Sequence, residues 1–525
     1  MPLTPNSHRS DVLGRNVVAT TQPLASQAGL LMYTKGGNAI DAAIATASTL
    51  TVVEPTMNGI GSDAFCIVWD GSTLHGLSAS GRYPKAWKTN QFQHVAQMPQ
   101  QGWESVTVPG AVSAWVDLSK KFGKLPFEML FEPAIQYARH GFFVSPIIAD
   151  QWATQIERYH LFGEFNKIFS VNGKAPCVGQ RFYLANHADS LEDIALTKGE
   201  SFYRGKLADL MVTDSNDHGG KLSHSDLEEH TNRWTLPLSA NYRDAQLHEI
   251  PPGGQGIATL IASLILDLKE DETQSAPNHL KTHFEIEAMK LALNEVYAEV
   301  ADPKHMRKSA DDLLDPTFIE KASNSIKSTE ALPPNSRPPQ QSETVYLTTA
   351  DESGMMVSFI QSNYMGFGSG VVVPGTGISL QNRAAGFTTN PDHPNCVDGG
   401  KYPFHTIIPG FITRDKNAFA SFGVMGGDMQ AQGHLQILRA LVRDKNSPQE
   451  AINSPRWKLQ KDGSLLLEST FGIKTASELA SLGHNVVSAP YGAYEFGAAQ
   501  IITRLADDGY TAGSEPRRDG QAVAT

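Results

Sequence analysis

The 525-residue sequence predicts an α+β protein. Helical periodicity dominates its first two-thirds, strand patterns begin abruptly at Thr344, and a proline-rich connector separates the two regimes. The stretch from Pro23 to Val53 is rich in small residues and helical in period. Within it, Gly36-Gly37-Asn38 ends one helix and begins the next, with Asn38 as the N-cap before Ala39-Ile40-Asp41-Ala42-Ala43-Ile44. Alanine on every face implies close helix packing. Further helices are expected over Leu125 to His140, Ile257 to Asp267 and His279 to Val300, where apolar residues recur at three and four.

From Ala331 to Glu343 the chain has almost nothing to bury and several prolines that forbid helix, which predicts an exposed, extended connector. Thr344 to Ala350, the turn Asp351-Glu-Ser-Gly354 and Met355 to Ser362 then read as strand, tight turn and strand. Gly370-Val-Val-Val-Pro-Gly, His405 to Ile412 and Ala418 to Val424 read as further strands, and Leu435 to Val442 as a helix. No internal repeat is present.

Composition narrows the function. A formal charge of -12 with no basic cluster argues against a nucleic-acid surface. The three cysteines, Cys66, Cys177 and Cys396, fit neither a disulfide framework nor a zinc site, and the seventeen histidines form no His-Glu-x-x-His or comparable set. No metal and no cofactor are expected. Met1 to Arg15 has no apolar core of a signal peptide, and no run approaches 18 apolar residues, so a cytoplasmic protein without a membrane segment is expected. Gly366-Phe-Gly-Ser-Gly370 leads into Val371-Val-Val rather than a helix start and is not read as a phosphate loop.

The junction after the connector carries the chemistry. A threonine at a free N-terminus has its hydroxyl activated by its own α-amine, whose reference pKa of ~7.7 to 8.0 suits a base at neutral pH. An internal threonine lacks that amine. Cleavage of the Glu343-Thr344 bond would supply it, and an exposed linker on one side with a rigid strand on the other suits such a cut. Any proline-rich linker entering a strand looks similar, so these local features leave the reading open.

Several separated segments resemble the gamma-glutamyltranspeptidase family. They are Gln22-Pro-Leu-Ala-Ser-Gln-Ala-Gly29, Gly36 to Ala42, Glu54-Pro55 through Gly61, Val108-Pro109-Gly110, Pro251-Pro-Gly-Gly-Gln-Gly256, Thr344 to Gly354, Gly366 to Gly370 and Gly426-Gly427. The resemblance implies a four-layer αββα sandwich of the N-terminal-nucleophile hydrolase type. It also implies a precursor cut into a large subunit, 1–343, and a small subunit, 344–525, which stay associated as one interlocked unit and have scope for further dimerisation. Thr344 matches the family nucleophile, Gly426 and Gly427 its oxyanion-hole glycines, and Ser362 the hydroxyl residue that steadies the nucleophile. Glycines suit that role because their N–H groups approach an oxyanion closely, each donor being worth ~3 kcal/mol.

The substrate positions depart from the family pattern. Its carboxylate-gripping arginine aligns with Ser80, two residues before Arg82, and its amine-holding aspartate aligns with Gly386. Its paired serines align with His405 and Thr406, and its asparagine with Tyr364, next to Asn363; the segment Phe387 to Pro403 looks shorter than a full lid. A buried ammonium without a carboxylate partner costs several kcal/mol. The pattern therefore looks more like the acylase and amidohydrolase branch, with Arg82 expected to anchor a small acidic amide and Asn363, Tyr364, His405 and Thr406 to line its pocket. True γ-glutamyl transfer or glutathione hydrolysis, with Arg82 in a shifted register, is the alternative; an inactive binding homologue is a third. His434, just after the oxyanion glycines, is expected either to pack at a helix start or to face substrate.

Overall fold

A computed structural model describes residues 9–333 and 343–525; the connector expected over Ala331 to Glu343 falls mostly outside them. In chain order, the strands that matter are β1 (Val12–Gly14), β2 (Val17–Thr20), β3 (Asp63–Trp69), β4 (Leu74–Ala79), β5 (Arg233–Thr235), β6 (Leu238–Tyr242) and β7 (Ala245–Glu249). After the connector come β8 (Glu343–Ala350), β9 (Met356–Tyr364), β10 (Gly410–Arg414), β11 (Asn417–Met425), β12 (Ala498–Arg504), β13 (Tyr510–Ser514) and β14 (Gln521–Ala524). They build two seven-stranded sheets, in the orders β1-β13-β12-β11-β10-β7-β6 and β14-β2-β8-β9-β3-β4-β5, with every neighbour antiparallel. Each sheet draws strands from both sides of the connector.

The sheets pack face to face, β8 and β9 against β11. Closeness at that seam is set by Gly423 on β11, where an added Cβ would stand 2.4 Å from the ring of Tyr346. The hydroxyl of Ser358 crosses the same seam to the Phe422 carbonyl, at 3.2 Å. Helices α1 (Pro23–Thr34) and α2 (Ala39–Val53) cover the second sheet; α3 (Gly256–Asp267) and α5 (Met429–Leu438) cover the first, with α4 (Asn278–Glu299) packed on α3. The result is the expected four-layer αββα sandwich, with one apolar core centred on the second sheet and another between the first sheet and α3 to α5.

Local rules hold where the sequence speaks locally. Asn38 caps α2, accepting from the N–H groups of Ile40 and Asp41, and Asp41 returns the bond as a capping box. All fifteen residues of α2 are buried, which explains its alanines. The hairpin β8–β9 forms as expected, and its turn ties it to α2, because the Asp351 carboxylate accepts from the Ala39 N–H at 2.7 Å. Gly354 closes that turn at φ +93.

Four expectations need correction. The Gly370 to Gly375 run is not a strand: Val372 makes only an isolated bridge to Ser379, and glycines 370, 375 and 377 all take positive φ, folding the segment into a turn with buried valines and an exposed tip at Pro374-Gly375. Residues 405–409 are extended but unpaired except where His405 bridges Gly254; Pro409 has no N–H for a ladder, and the strand begins at Gly410. The helix over 125–140 is a 3-10 turn, Phe127–Phe131, followed by an α-helix from Glu132, and the helix expected at Leu435 starts earlier, at Met429. The region before the connector is mainly helical, as expected, and it also contributes seven of the sandwich strands, which helical periodicity masked.

Candidate active site

The site forms where β8 meets the ends of β9 and β11. The register of β8 on β9 shifts between Glu343 and Val345, so Thr344 sits in a bulge. Its side chain is fully buried in the uncut chain. The Thr344 hydroxyl donates to Ser362 Oγ at 3.2 Å, and Ser362 in turn donates to the carbonyl oxygen of Glu343 at 2.6 Å. The Tyr364 N–H completes the set by donating to Ser362 Oγ at 2.8 Å. One serine hydroxyl therefore touches both the Thr344 hydroxyl and the Glu343 carbonyl.

Alternation along β9 sorts its last residues. Asn363 faces the opposite way, accepting from Ser62 Oγ at 2.8 Å and donating to Ser379 Oγ at 3.3 Å, so it braces the Gly59 to Ser62 loop. Tyr364 faces the site. It is a non-glycine residue at φ +74, a conformation that costs energy and that the packing holds.

Gly426 and Gly427 lie between β11 and α5, at φ +121 and +64. A Cβ on Gly426 would stand 3.0 Å from Gly497 Cα, so the close approach needs glycine. The Pro251 to Gly256 motif positions this turn: Gln255 Nε2 donates to the Gly427 carbonyl at 2.7 Å and to the Thr406 carbonyl at 2.6 Å. In the first turn of α5, Gln430 Nε2 donates to Thr344 Oγ1 at 3.4 Å while its Oε1 accepts from the Ile408 N–H at 3.0 Å. Sequence reasoning missed Gln430; its place one turn after the paired glycines was the available signal. His434, a turn further along, pairs with Glu249 at 2.7 Å, and both are fully buried. It packs at the helix rather than reaching Thr344.

Electrostatics around the site are unusual. Burial raises the Glu343 carboxyl to about 7, opposed by Arg158, and Gln155 Nε2 donates to it at 2.7 Å. Burial likewise raises Asp63 to about 7 against the pull of Arg383, whose Nε lies 3.5 Å away, and Asp63 also takes the Gly110 N–H at 3.2 Å. Arg383, another residue missed in the sequence, is fully buried; its guanidinium lies 4.6 Å from the Tyr364 ring centre and donates to Thr406 Oγ1 at 3.3 Å. His405 is buried beside it, and desolvation plus the charges of Arg383 and Arg233 hold its pKa well below the usual imidazole range. Arg82 lies apart from this set. It donates to the Gly400 carbonyl at 2.6 Å, pairs with Asp302 at 3.7 Å, stacks over Tyr402 and lines a cleft of about 270 Å³.

Among the described residues one His/Glu group has metal-like geometry: His283, Glu287 and His484. Its ligand atoms are already engaged. His283 Nδ1 and His484 Nε2 are 2.8 Å apart, and Glu287 takes Lys290 Nζ at 2.6 Å and the Leu332 N–H at 2.9 Å. The network fastens the start of the connector to α4.

A sandwich of this kind, with a threonine at the head of a central strand and hydroxyl and glycine partners around it, is the N-terminal-nucleophile hydrolase architecture. A family profile described as gamma-glutamyltranspeptidase matches residues 25–525, and the chain belongs to that family. It is 33% identical to a glutathione hydrolase-like proenzyme, YwrD, of Bacillus subtilis (98% of this chain and 99% of that protein). It is 32% identical to an oxamate amidohydrolase proenzyme of Klebsiella pneumoniae over the same shares, 98% and 99%. The crystal structure of a cephalosporin acylase from Bacillus halodurans superposes with a TM-score of 0.94 at 43% identity, covering 99% of this chain and 97% of that one. The chain is thus a hydrolase of this family, an autoprocessing enzyme that cleaves amide bonds. Among the described residues no helix is long and apolar enough to cross a membrane.

Proposed function

We propose that the chain cuts itself between Glu343 and Thr344 and that the freed threonine hydrolyses the amide of a small acidic acyl compound. The observation that carries this reading is the hydroxyl pair: Ser362 bridges Thr344 Oγ1 and the Glu343 carbonyl, at 3.2 and 2.6 Å. In the first cut, Thr344 Oγ1 attacks the Glu343 carbonyl carbon, its proton passes to Ser362, and the Ser362 proton goes to the carbonyl oxygen. Collapse re-forms the carbonyl and breaks the C–N bond as the proton on that oxygen moves to the leaving nitrogen, which leaves an ester on Thr344 Oγ1 and a free Thr344 amine; water then hydrolyses the ester. In turnover that amine takes the Thr344 hydroxyl proton, Gly426 and Gly427 donate to the oxyanion, and water resolves the acyl-enzyme. Subunits 1–343 and 344–525 stay together because both sheets share strands from each.

An acyl group without an α-amine is favoured by position 386. Glycine stands there, and a Cβ would lie 2.9 Å from the Phe404 carbonyl oxygen, so an amine-binding aspartate has no room. The relatives named oxamate amidohydrolase and cephalosporin acylase agree with this direction, whereas the one named glutathione hydrolase-like keeps γ-glutamyl substrates in the comparison. Three free cysteines, two of them buried, suit a reducing compartment such as the cytoplasm. The test is a substrate panel on purified, processed protein, with Thr344→Ala as control. Turnover by an uncut Thr344→Ala protein, or a strong preference for glutathione over acidic amides lacking an amine, would overturn it.

A further inference from the structure

The buried arginine beside the nucleophile has unspent hydrogen-bonding capacity. Arg383 is fully buried, yet among the described residues its Nη2 has no hydrogen-bond partner, and neither ring nitrogen of the buried His405 has one. Burying charged donors without acceptors is costly, so such a group in a native interior points to something that completes it. Asp63 offsets the charge only in part. Its nearest approach to Arg383 is 3.5 Å, and burial raises it to about 7, so at neutral pH it carries only part of a charge. A second cation, Arg233, stacks on Tyr402 at 4.3 Å, places its Nη2 3.7 Å from where a Cβ on Gly253 would lie, and leaves its own Nε without a hydrogen bond. Gly253 in turn accepts the His405 N–H at 2.8 Å, so both arginines flank the His405 segment.

Resting on the threonine-hydrolase reading above, we propose that Arg383 grips a carboxylate of the acyl group directly, with Arg233 as the second cation, and that Arg82 is not the anchor. Arg82 already spends its guanidinium on the Gly400 carbonyl, Asp302 and the Tyr402 ring, and its side chain is 38% exposed. Arg383 instead touches Tyr364, whose N–H lies 2.8 Å from Ser362 Oγ, the partner of Thr344, and Thr406, whose carbonyl shares Gln255 with Gly427. The ligand class is therefore the monoamide of a short dicarboxylic or oxo acid. An α-ammonium in the same place would face a guanidinium rather than a carboxylate, which disfavours γ-glutamyl donors.

The experiment compares kcat/KM for short dicarboxylic monoamides and for their neutral methyl esters in wild type, Arg383→Gln, Arg383→Lys and Arg82→Gln, each checked for the Thr344 N-terminus. For Arg383→Gln the expected result is a loss of roughly 100-fold or more on the acids, chiefly in KM, with a change under about threefold on the esters. Arg383→Lys should recover part of that loss, since it keeps the charge without the planar fork. Arg82→Gln should keep the acid preference. Because Arg383→Gln could misfold, a second measurement uses wild type alone: free oxalate, malonate and succinate should inhibit at least about tenfold more strongly than their diamides. Equal losses of Arg383→Gln on acids and esters, loss of the acid preference in Arg82→Gln instead, or equal inhibition by acids and diamides overturns the proposal. Those outcomes with Thr344 still essential sink only this assignment; activity independent of Thr344 sinks the reading beneath it.

Discussion

Replacing Ser362 by alanine should slow self-cleavage far more than it destabilises the protein. In the uncut chain Ser362 Oγ makes three contacts: it donates to the Glu343 carbonyl at 2.6 Å and accepts from Thr344 Oγ1 at 3.2 Å and from the Tyr364 N–H at 2.8 Å. The first acts on charge that builds at the carbonyl oxygen as Thr344 attacks, and losing such a donor costs roughly 3 kcal/mol of barrier, or 100- to 1,000-fold in rate. The fold loses less. One buried N–H, that of Tyr364, is left unsatisfied, worth about 1–3 kcal/mol, and removal of the single Oγ atom leaves only a small void. The assay is a time course of precursor purified early, with 344–525 resolved from the whole chain on a denaturing gel and its N-terminus confirmed by mass. Ser362→Thr keeps the hydroxyl and should process within about tenfold of wild type. If Ser362→Ala processes within threefold of wild type while its urea midpoint is unchanged, the bridging hydroxyl does not polarise the scissile carbonyl.

Further expectations follow from the same geometry. Glu343 has an ordinary value of 4.5 raised to about 7 by burial, so the folded precursor holds a proton that the unfolded chain has lost between those values. Its relative stability is thus fully present below 4.5 and lost as pH rises through about 7, a change of ~1–2 kcal/mol after allowing for partial exposure. Urea unfolding from pH 4 to 8 should show a slope in Thr344→Ala that is smaller by this amount in Thr344→Ala with Glu343→Gln, the buried carboxyls Asp63 and Glu54, raised to about 7 and about 8, supplying part of what remains. Gly426→Ala should lower kcat by roughly 100-fold with KM little changed, because a Cβ 3.0 Å from Gly497 Cα displaces an oxyanion N–H; steady-state kinetics on a preferred amide decide it. Asp351→Ala removes the carboxylate that accepts the Ala39 N–H at 2.7 Å, and denaturant melts should show a loss of ~1–2 kcal/mol without loss of the Thr344 cut.

How much of this was legible in the sequence depends on how local each feature is. The Asn38 cap and the β8–β9 hairpin rest on contacts within a few residues, so pattern and turn chemistry sufficed. The strand expected from Gly370 failed because consecutive valines were weighed without the glycine turns around them, and the one expected from His405 failed at Pro409. Thr344, Ser362 and the paired glycines came from family resemblance, which orders distant segments that local rules cannot join. Arg383, Gln430 and Gln155 were missed for the opposite reason. Gln430 had one local mark, its place a turn after the paired glycines, but nothing near Arg383 or Gln155 marks them; the sandwich alone brings Arg383 beside Tyr364 and Asp63, and Gln155 onto Glu343.

The strand orders carry a consequence for how this protein can be made. Strand β8, just after the cut, lies between β2 and β9, and β11 and β10 continue into β7 and β6, so neither 1–343 nor 344–525 holds a complete sheet. As one chain, the two parts are present to each other at the effective concentration of a tether. Once severed and unfolded they are separate solutes whose reunion depends on dilution, and each would expose raw sheet edges while waiting. Cleavage at the proposed bond would therefore work as a ratchet: the molecule would get one easy opportunity to assemble, before the scission. A denatured mature enzyme should recover far less readily than a denatured Thr344→Ala precursor.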